Sequence, residues 1–217
     1  MPDRVIAAVD VGKLSNVGWW RIADGGSGGG RDLDDLADIL TADLNAGRAV
    51  ALGIEAPIFI PAPTTTAGLG RQRAGEAGRP WCAGAGTIAL AFGIQQTNYL
   101  LTRIAERMAT PIRAGVDVAA LHADRLDLLV WEAFVSAGSK DRSVDDPHVW
   151  DARAAAEEFE RRAATGVVSS DIADTSVLNL AAAALIATGL SDDPRLLSVP
   201  CVVVRPPNIA VVRSAKR

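Results

Sequence analysis

At 217 residues, with 49% hydrophobic and 22% charged residues, the chain is long enough to bury a sizeable core as one α/β domain spanning 1–217. Its net charge of -4 excludes a global basic field of the kind that coats nucleic acid non-specifically, but not a local basic groove. No stretch approaches the ~18 consecutive apolar residues of a membrane span. Cys82 and Cys201 are far apart, match no metal-ligand spacing, and with no leader in residues 1–4 read as reduced thiols of a cytoplasmic protein.

The run Val5-Ile6-Ala7-Ala8-Val9 predicts a strand buried on both faces, and it ends in a carboxylate, Asp10. An unpaired buried charge is costly, so Asp10 needs an ion pair, hydrogen bonds or a metal. Gly12 then lets the backbone turn or a ligand come close. Residues 16–22 read as a second strand, returning antiparallel. Residues 25–30 hold five glycines and read as a flexible linker in place of a third strand. No Gly-Lys-Ser/Thr follows to make them a phosphate loop. Residues 32–46 predict a helix with Leu33, Leu36, Ala37, Leu40 and Leu44 on its apolar face, and with Asp34, Asp35, Asp38 and Asp43 mostly on a solvated one. Residues 49–55 are a second buried strand, ending in Glu55. A strand–helix–strand unit of this length implies a parallel pair. Asp10 and Glu55 then share the carboxyl end of neighbouring strands, where open α/β sheets place ligands.

Residues 61–87 lack periodicity and are rich in Pro, Thr, Gly and Arg. Arg71, Arg73, Arg79 and Trp81 make this loop a candidate for nucleic-acid contacts, and a mobile surface loop fits equally well. Residues 87–108 predict a long helix with a polar patch at Gln95-Gln96-Thr97-Asn98. Residues 126–135 predict a strand in which Glu132 reads as an edge-strand charge rather than a site carboxylate. Residues 151–164 predict an amphipathic helix whose Glu157, Glu158, Glu160, Arg161 and Arg162 face solvent. A last long helix is expected over 169–188, and a short final strand over 201–205.

Asp171 and Asp174, three apart, would share one face of that last helix, with Asp174 on the stripe of Leu178, Ala181, Ala182 and Leu185. Capping at the positive end of the helix dipole accounts for either acid alone. Together with Asp10 and Glu55 they make four acids at one end of the fold. Four converging carboxylates need counter-charge, and hard oxygen donors suit Mg²⁺ or Mn²⁺. Two such ions could activate a water and stabilise the leaving oxygen of a phosphodiester.

These motifs resemble the RNase H-like superfamily: Val-Asp-Val-Gly before a hairpin strand, Gly-Ile-Glu-Ala-Pro ending a later strand, and Asp-Ile-Ala-Asp before an Ala-rich helix. The pattern is similar to that of RuvC-type Holliday-junction resolvases and of uncharacterised bacterial proteins predicted to be RNase H-fold nucleases. The resemblance implies a mixed sheet with helices on both faces and a nuclease acting on DNA or RNA. It carries the metal site onto Asp10, Glu55, Asp171 and Asp174, with Lys13, Arg71, Arg73 or Arg79 steadying the scissile phosphate, and leaves a homodimer open. Two other functions compete. A non-catalytic scaffold could keep the same fold. A phosphotransferase of the actin and sugar-kinase type also begins with a strand and Asp-x-Gly, but it needs a second such hairpin, which the sequence lacks.

Overall fold

The computed structural model describes residues 4–76, 78, 80–135, 141 and 143–207. Strands β1 (Arg4–Asp10), β2 (Gly18–Ala23) and β3 (Gly26–Gly30) form an antiparallel meander, and helix α1 (Leu33–Asn45) carries the chain to β4 (Ala49–Ile54), parallel to β1. After β5 (Phe59–Pro61) and a long loop come α2 (Ala85–Arg107), β6 (Ala114–Gly115), α3 (Val118–His122) and β7 (Leu128–Ala133). Then follow α4 (Pro147–Ala164), β8 (Val177–Asn179), α5 (Leu180–Ala187) and β9 (Val203–Val204). The main sheet has seven strands in the order β3-β2-β1-β4-β7-β6, with β9 also pairing β7, while β5 and β8 form a separate antiparallel pair. The protein is therefore α/β with a mixed sheet. No helix among the described residues is long and apolar enough to cross a membrane.

Strand alternation explains the two layers. Val5, Ala7 and Val9 of β1 pack in one cluster with Leu36 and Leu40 of α1, Leu100 and Ile104 of α2 and Leu185 of α5. Ile6 and Ala8 point the other way, into a cluster with Ala155, Ala156 and Phe159 of α4 and Trp131 of β7. Trp131 stacks on Phe159 with ring centroids 4.5 Å apart.

The glycine run is not a linker: it is β3, the third strand of the meander. A Cβ on Gly30 would stand 2.7 Å from the Trp19 indole, and one on Gly29 2.5 Å from Trp20 Cε3. Bare backbone lets two tryptophans of β2 lie against this strand. Asp43 and Glu158, expected in water, are buried instead. Asp43 accepts from Arg21 and Arg48, and Glu158 from Arg161 and Arg162. Burial pushes the Glu158 carboxyl up, but its two arginines hold it below the ordinary range.

The expected helix over 169–188 begins only at Leu180. Polar side chains bond locally and compete with helix formation. Ser170 Oγ donates to Ile172 O, Ser176 N donates to Asp174 Oδ1, and Ala173 bridges to Ala74. Asn179 is the true cap, accepting from Ala182 N at 2.9 Å. Leu178, expected to press on the sheet, is 42% exposed.

Glu132 is no edge charge either, because β7 lies between β4 and the short strands β6 and β9. It is wholly buried, and Arg73 from the long loop reaches it with two hydrogen bonds of 2.7 Å. Arg73 also donates to Glu76 Oε1 at 2.9 Å and sits 4.5 Å over the Phe59 ring. Burial pushes the Glu132 carboxyl up, and Arg73 opposes that. The loop is thereby pinned to the centre of the sheet. Removing one partner of a buried pair leaves an uncompensated charge, so Arg73→Met should cost about 3–5 kcal/mol of unfolding free energy in a urea titration. Adding Glu132→Leu should restore part of it, because Glu76 stays buried without its arginine. A single variant within about 1 kcal/mol of wild type would contradict this role.

Candidate metal centre

Asp10 closes β1, and Glu55 follows β4, its N–H continuing the ladder to Val9 O at 2.8 Å. Val9 and Ile54 face the cluster of α1 and α2, so the next residue of each strand, Asp10 and Glu55, turns to the α4 side. Helix α4 is capped by Asp146, which accepts from the His148 and Val149 N–H groups, and Pro147 occupies the first turn. The helix so begins four residues ahead of the expected Asp151. His148 and Asp151, three apart, lie on its inward face, continuing the stripe of Ala155 and Phe159.

The result is a group of three carboxylates, Asp10, Glu55 and Asp151, each offering an oxygen within 4.8 Å of the others. Asp10 is 5% and Asp151 3% exposed, and Glu55 is half-buried. His148 Nδ1 stands 2.5 Å from Asp10 Oδ2.

Close approach of the helices makes the group. A Cβ on Gly18, the partner of Asp10 in the β1–β2 ladder, would stand 2.3 Å from the His148 carbonyl carbon. On the other side a Cβ on Gly93 would stand 2.2 Å from the Ala56 methyl. Glycine at 18 seats the first turn of α4 on β2, and glycine at 93 seats α2 behind Glu55. The turn after Asp10 is held by Gln96 of α2, whose amide donates to Gly12 O and accepts from Gly12 N.

The donor set suits a hard divalent cation. Oxygens bound at about 2.0–2.6 Å to one ion stand no more than about 4–5 Å apart, which is the spread of this group. Neither cysteine is in the group, and burial pushes the Cys201 thiol up to about 12.

Of the residues expected at the site, the structure brings Asp10 and Glu55 together and adds Asp151. Asp171 and Asp174 are not in the group, because the non-helical segment that carries them delivers each to an arginine. Asp171 Oδ2 accepts from Arg162 at 2.8 Å and from Arg205 N at 2.7 Å. Asp174 takes both ends of Arg71 at 2.6 Å, and these bonds hold its carboxyl below the usual range. Arg71 and Arg73 are thus committed to internal pairs, Arg73 with no exposed side-chain surface. Lys13 is exposed on the turn beyond Gly12, and Arg79 lies outside the described residues. Asp151 was missed because it opens a helix otherwise read as amphipathic. Its signal was His-x-x-Asp on the line of the apolar stripe, which only a helix start at residue 147 makes visible.

No family model, curated protein or solved structure matches the chain.

Gly18→Ala should therefore push the first turn of α4 off β2 and weaken Mn²⁺ binding by at least about 10-fold in calorimetry, the scale of lost ligand support. Unchanged affinity would show that this contact does not position the ligands. The Arg71–Asp174 pair has its own signature. A carboxyl held low in the folded state contributes stability that is full above its unfolded value of 3.8 and is lost as pH falls through the lower folded value. The melting temperature of Asp174→Asn should lie roughly 2–4 °C below wild type at neutral pH, with the gap closing below that value.

Proposed function

We propose that this protein is a divalent-metal-dependent nuclease of RNase H-like fold. The observation that carries the reading is the meeting of Asp10, Glu55 and Asp151 at the carboxyl end of β1 and β4. The strand order supports it: an antiparallel β3-β2-β1 meander continued by parallel β4 and β7, with helices on both faces. So does the resemblance of the strand-end motifs at Asp10 and Glu55 to that superfamily.

Asp10, Glu55 and Asp151 would hold the ion. A bound Mg²⁺ or Mn²⁺, alone or as a pair, supplies charge stabilisation to a phosphoryl oxygen and lowers the pKa of a water. The protein's own groups do the rest. His148 fixes the orientation of the Asp10 carboxylate through Nδ1 and presents its other ring nitrogen for proton transfer. Gln96 keeps the Gly12 backbone in place beside the reacting group. Lys13, exposed at that turn, supplies a cation to the phosphate of the substrate strand.

A second reading is a binding scaffold that keeps the fold. It is favoured by the burial of Arg73, which removes that cation from any nucleic-acid surface, and by the pairing of the exposed Arg71 with Asp174, which offsets its charge.

Asp10→Asn, Glu55→Gln and Asp151→Asn should each lose at least about 100-fold in Mn²⁺ affinity and in metal-dependent cleavage of labelled oligonucleotides. Asp171→Asn and Asp174→Asn should keep the metal. Loss of Mn²⁺ binding in Asp174→Asn with retention in Asp151→Asn would overturn the ligand assignment. Wild-type protein that binds no Mn²⁺ would favour the scaffold.

A further inference from the structure

Beside the turn that follows Asp10 is a cleft of about 640 Å³, within the size range of small-ligand sites. Gly12 forms part of its wall. Two residues of chain separate Gly12 from Asp10, about 7 Å at full extension, so the cleft opens within reach of that turn on the α1–α2 face, while the Asp10 carboxylate turns to the α4 side. The far wall is one face of α2: Phe92, Gln95, Gln96 and Tyr99, spaced three, four and seven residues from the first. Leu14, 85% exposed on the turn after Lys13, stands at the mouth.

The chemistry of this lining is selective. Phe92 and Tyr99 offer aromatic surface, with Tyr99 held by a 2.7 Å hydrogen bond to Asp34 Oδ2. Gln95 offers an exposed amide, which both donates and accepts. Asp32 and Asp34 at the start of α1 add carboxylates to the lining, and its Arg31 is already engaged by Asp146 at 3.3 Å and by the Ser15 and Val17 carbonyls, which disfavours a phosphate inside the cleft. Arg103 and Arg107 bind Asp34 from outside the lining. An uncharged, flat, hydrogen-bonding group fits such a site. The anionic part of the same ligand belongs outside it, toward Lys13 and the metal centre.

We propose that this cleft receives an unpaired nucleobase of the strand whose phosphodiester lies at the Asp10–Glu55–Asp151 group, so that the substrate is single-stranded or locally unpaired nucleic acid. The proposal rests on the nuclease reading for the position of the phosphate. The base stacks against Tyr99 and Phe92 and is read along its edge by Gln95. A base inside an intact duplex must first leave its stack to enter, which disfavours fully paired substrate. Gln96 forms the cleft wall and holds Gly12, so an occupied cleft and a correctly placed Asp10 turn share one side chain.

The test uses a short single-stranded oligonucleotide with one 2-aminopurine, titrated with full-length protein in Ca²⁺, alongside a Mn²⁺ titration of the same preparations. Binding should change the 2-aminopurine emission. Tyr99→Ala and Phe92→Ala should each weaken oligonucleotide binding roughly 5- to 150-fold, the range for loss of one base–aromatic stack. Tyr99→Phe, which keeps the ring and loses the bond to Asp34, should restore it, separating stacking from the Asp34 network. Gln95→Ala, at an exposed position, should weaken binding with no change in fold. Equal binding by wild type and the alanine variants, or equal binding of a fully paired duplex, would each overturn the proposal. Wild-type protein that binds Mn²⁺ but no oligonucleotide refutes the base site and leaves the metal reading standing. Oligonucleotide binding through Tyr99 without any Mn²⁺ binding does the reverse.

Discussion

The contact between the first turn of α4 and Gly18 of β2 governs how the carboxylates at the strand ends come together. Strand pairing brings Asp10 and Glu55 together on adjacent parallel strands. The third carboxylate of the group comes from a helix lying across them, and a helix packed over ordinary side chains would hold its own acid too far away. Glycine opposite Asp10 removes that spacer, so the backbone of His148 rests directly on β2. Asp146 and Pro147 then start the helix at the point that turns His148 and Asp151 inward. Gly93 against Ala56 does the same for α2 on the other face. Small residues at the strand ends convert a common α/β layering into a site.

Charge is distributed by the same economy of space. Asp43, Glu132, Glu158, Asp171 and Asp174 each meet arginine, several of them with little or no exposure. These pairs hold elements together: Arg21 ties β2 to α1, Arg73 ties the long loop to β7, and Arg162 ties α4 to the segment before β8. The strand-end group has a different character. Asp10 meets a histidine, and oxygens of Asp10, Glu55 and Asp151 lie within 4.8 Å of one another.

Much of the scaffold was legible from local pattern. Unbroken apolar runs announced β1 and β4, and the 3.6-residue spacing of leucines announced α1, capped by Asp32 as Ser/Thr/Asp/Asn positions suggest. The parallel pairing of β1 with β4, and hence the shared end for Asp10 and Glu55, followed from the length of the connection. The glycine run defeated local reasoning because its fitness as a strand lies in what covers it, the indoles of Trp19 and Trp20. The polar stretch before α5 defeated it for the opposite reason. Asp171 and Asp174 have the spacing of a helical face, but serine and aspartate side chains satisfied the backbone locally and the helix waited for Asn179.

The periodic elements and the two acids that end buried strands can be read along the chain, because hydrophobic alternation and strand termination are local properties. Which further acids join them depends on long-range contacts. Arginine partners for Asp171 and Asp174 come from residues 162 and 71, and the third carboxylate comes from residue 151, opposite a glycine at 18. No window of sequence spans those distances. Which partner a carboxylate meets is set by the fold: a guanidinium for Asp171 and Asp174, other carboxylates and a histidine for Asp10.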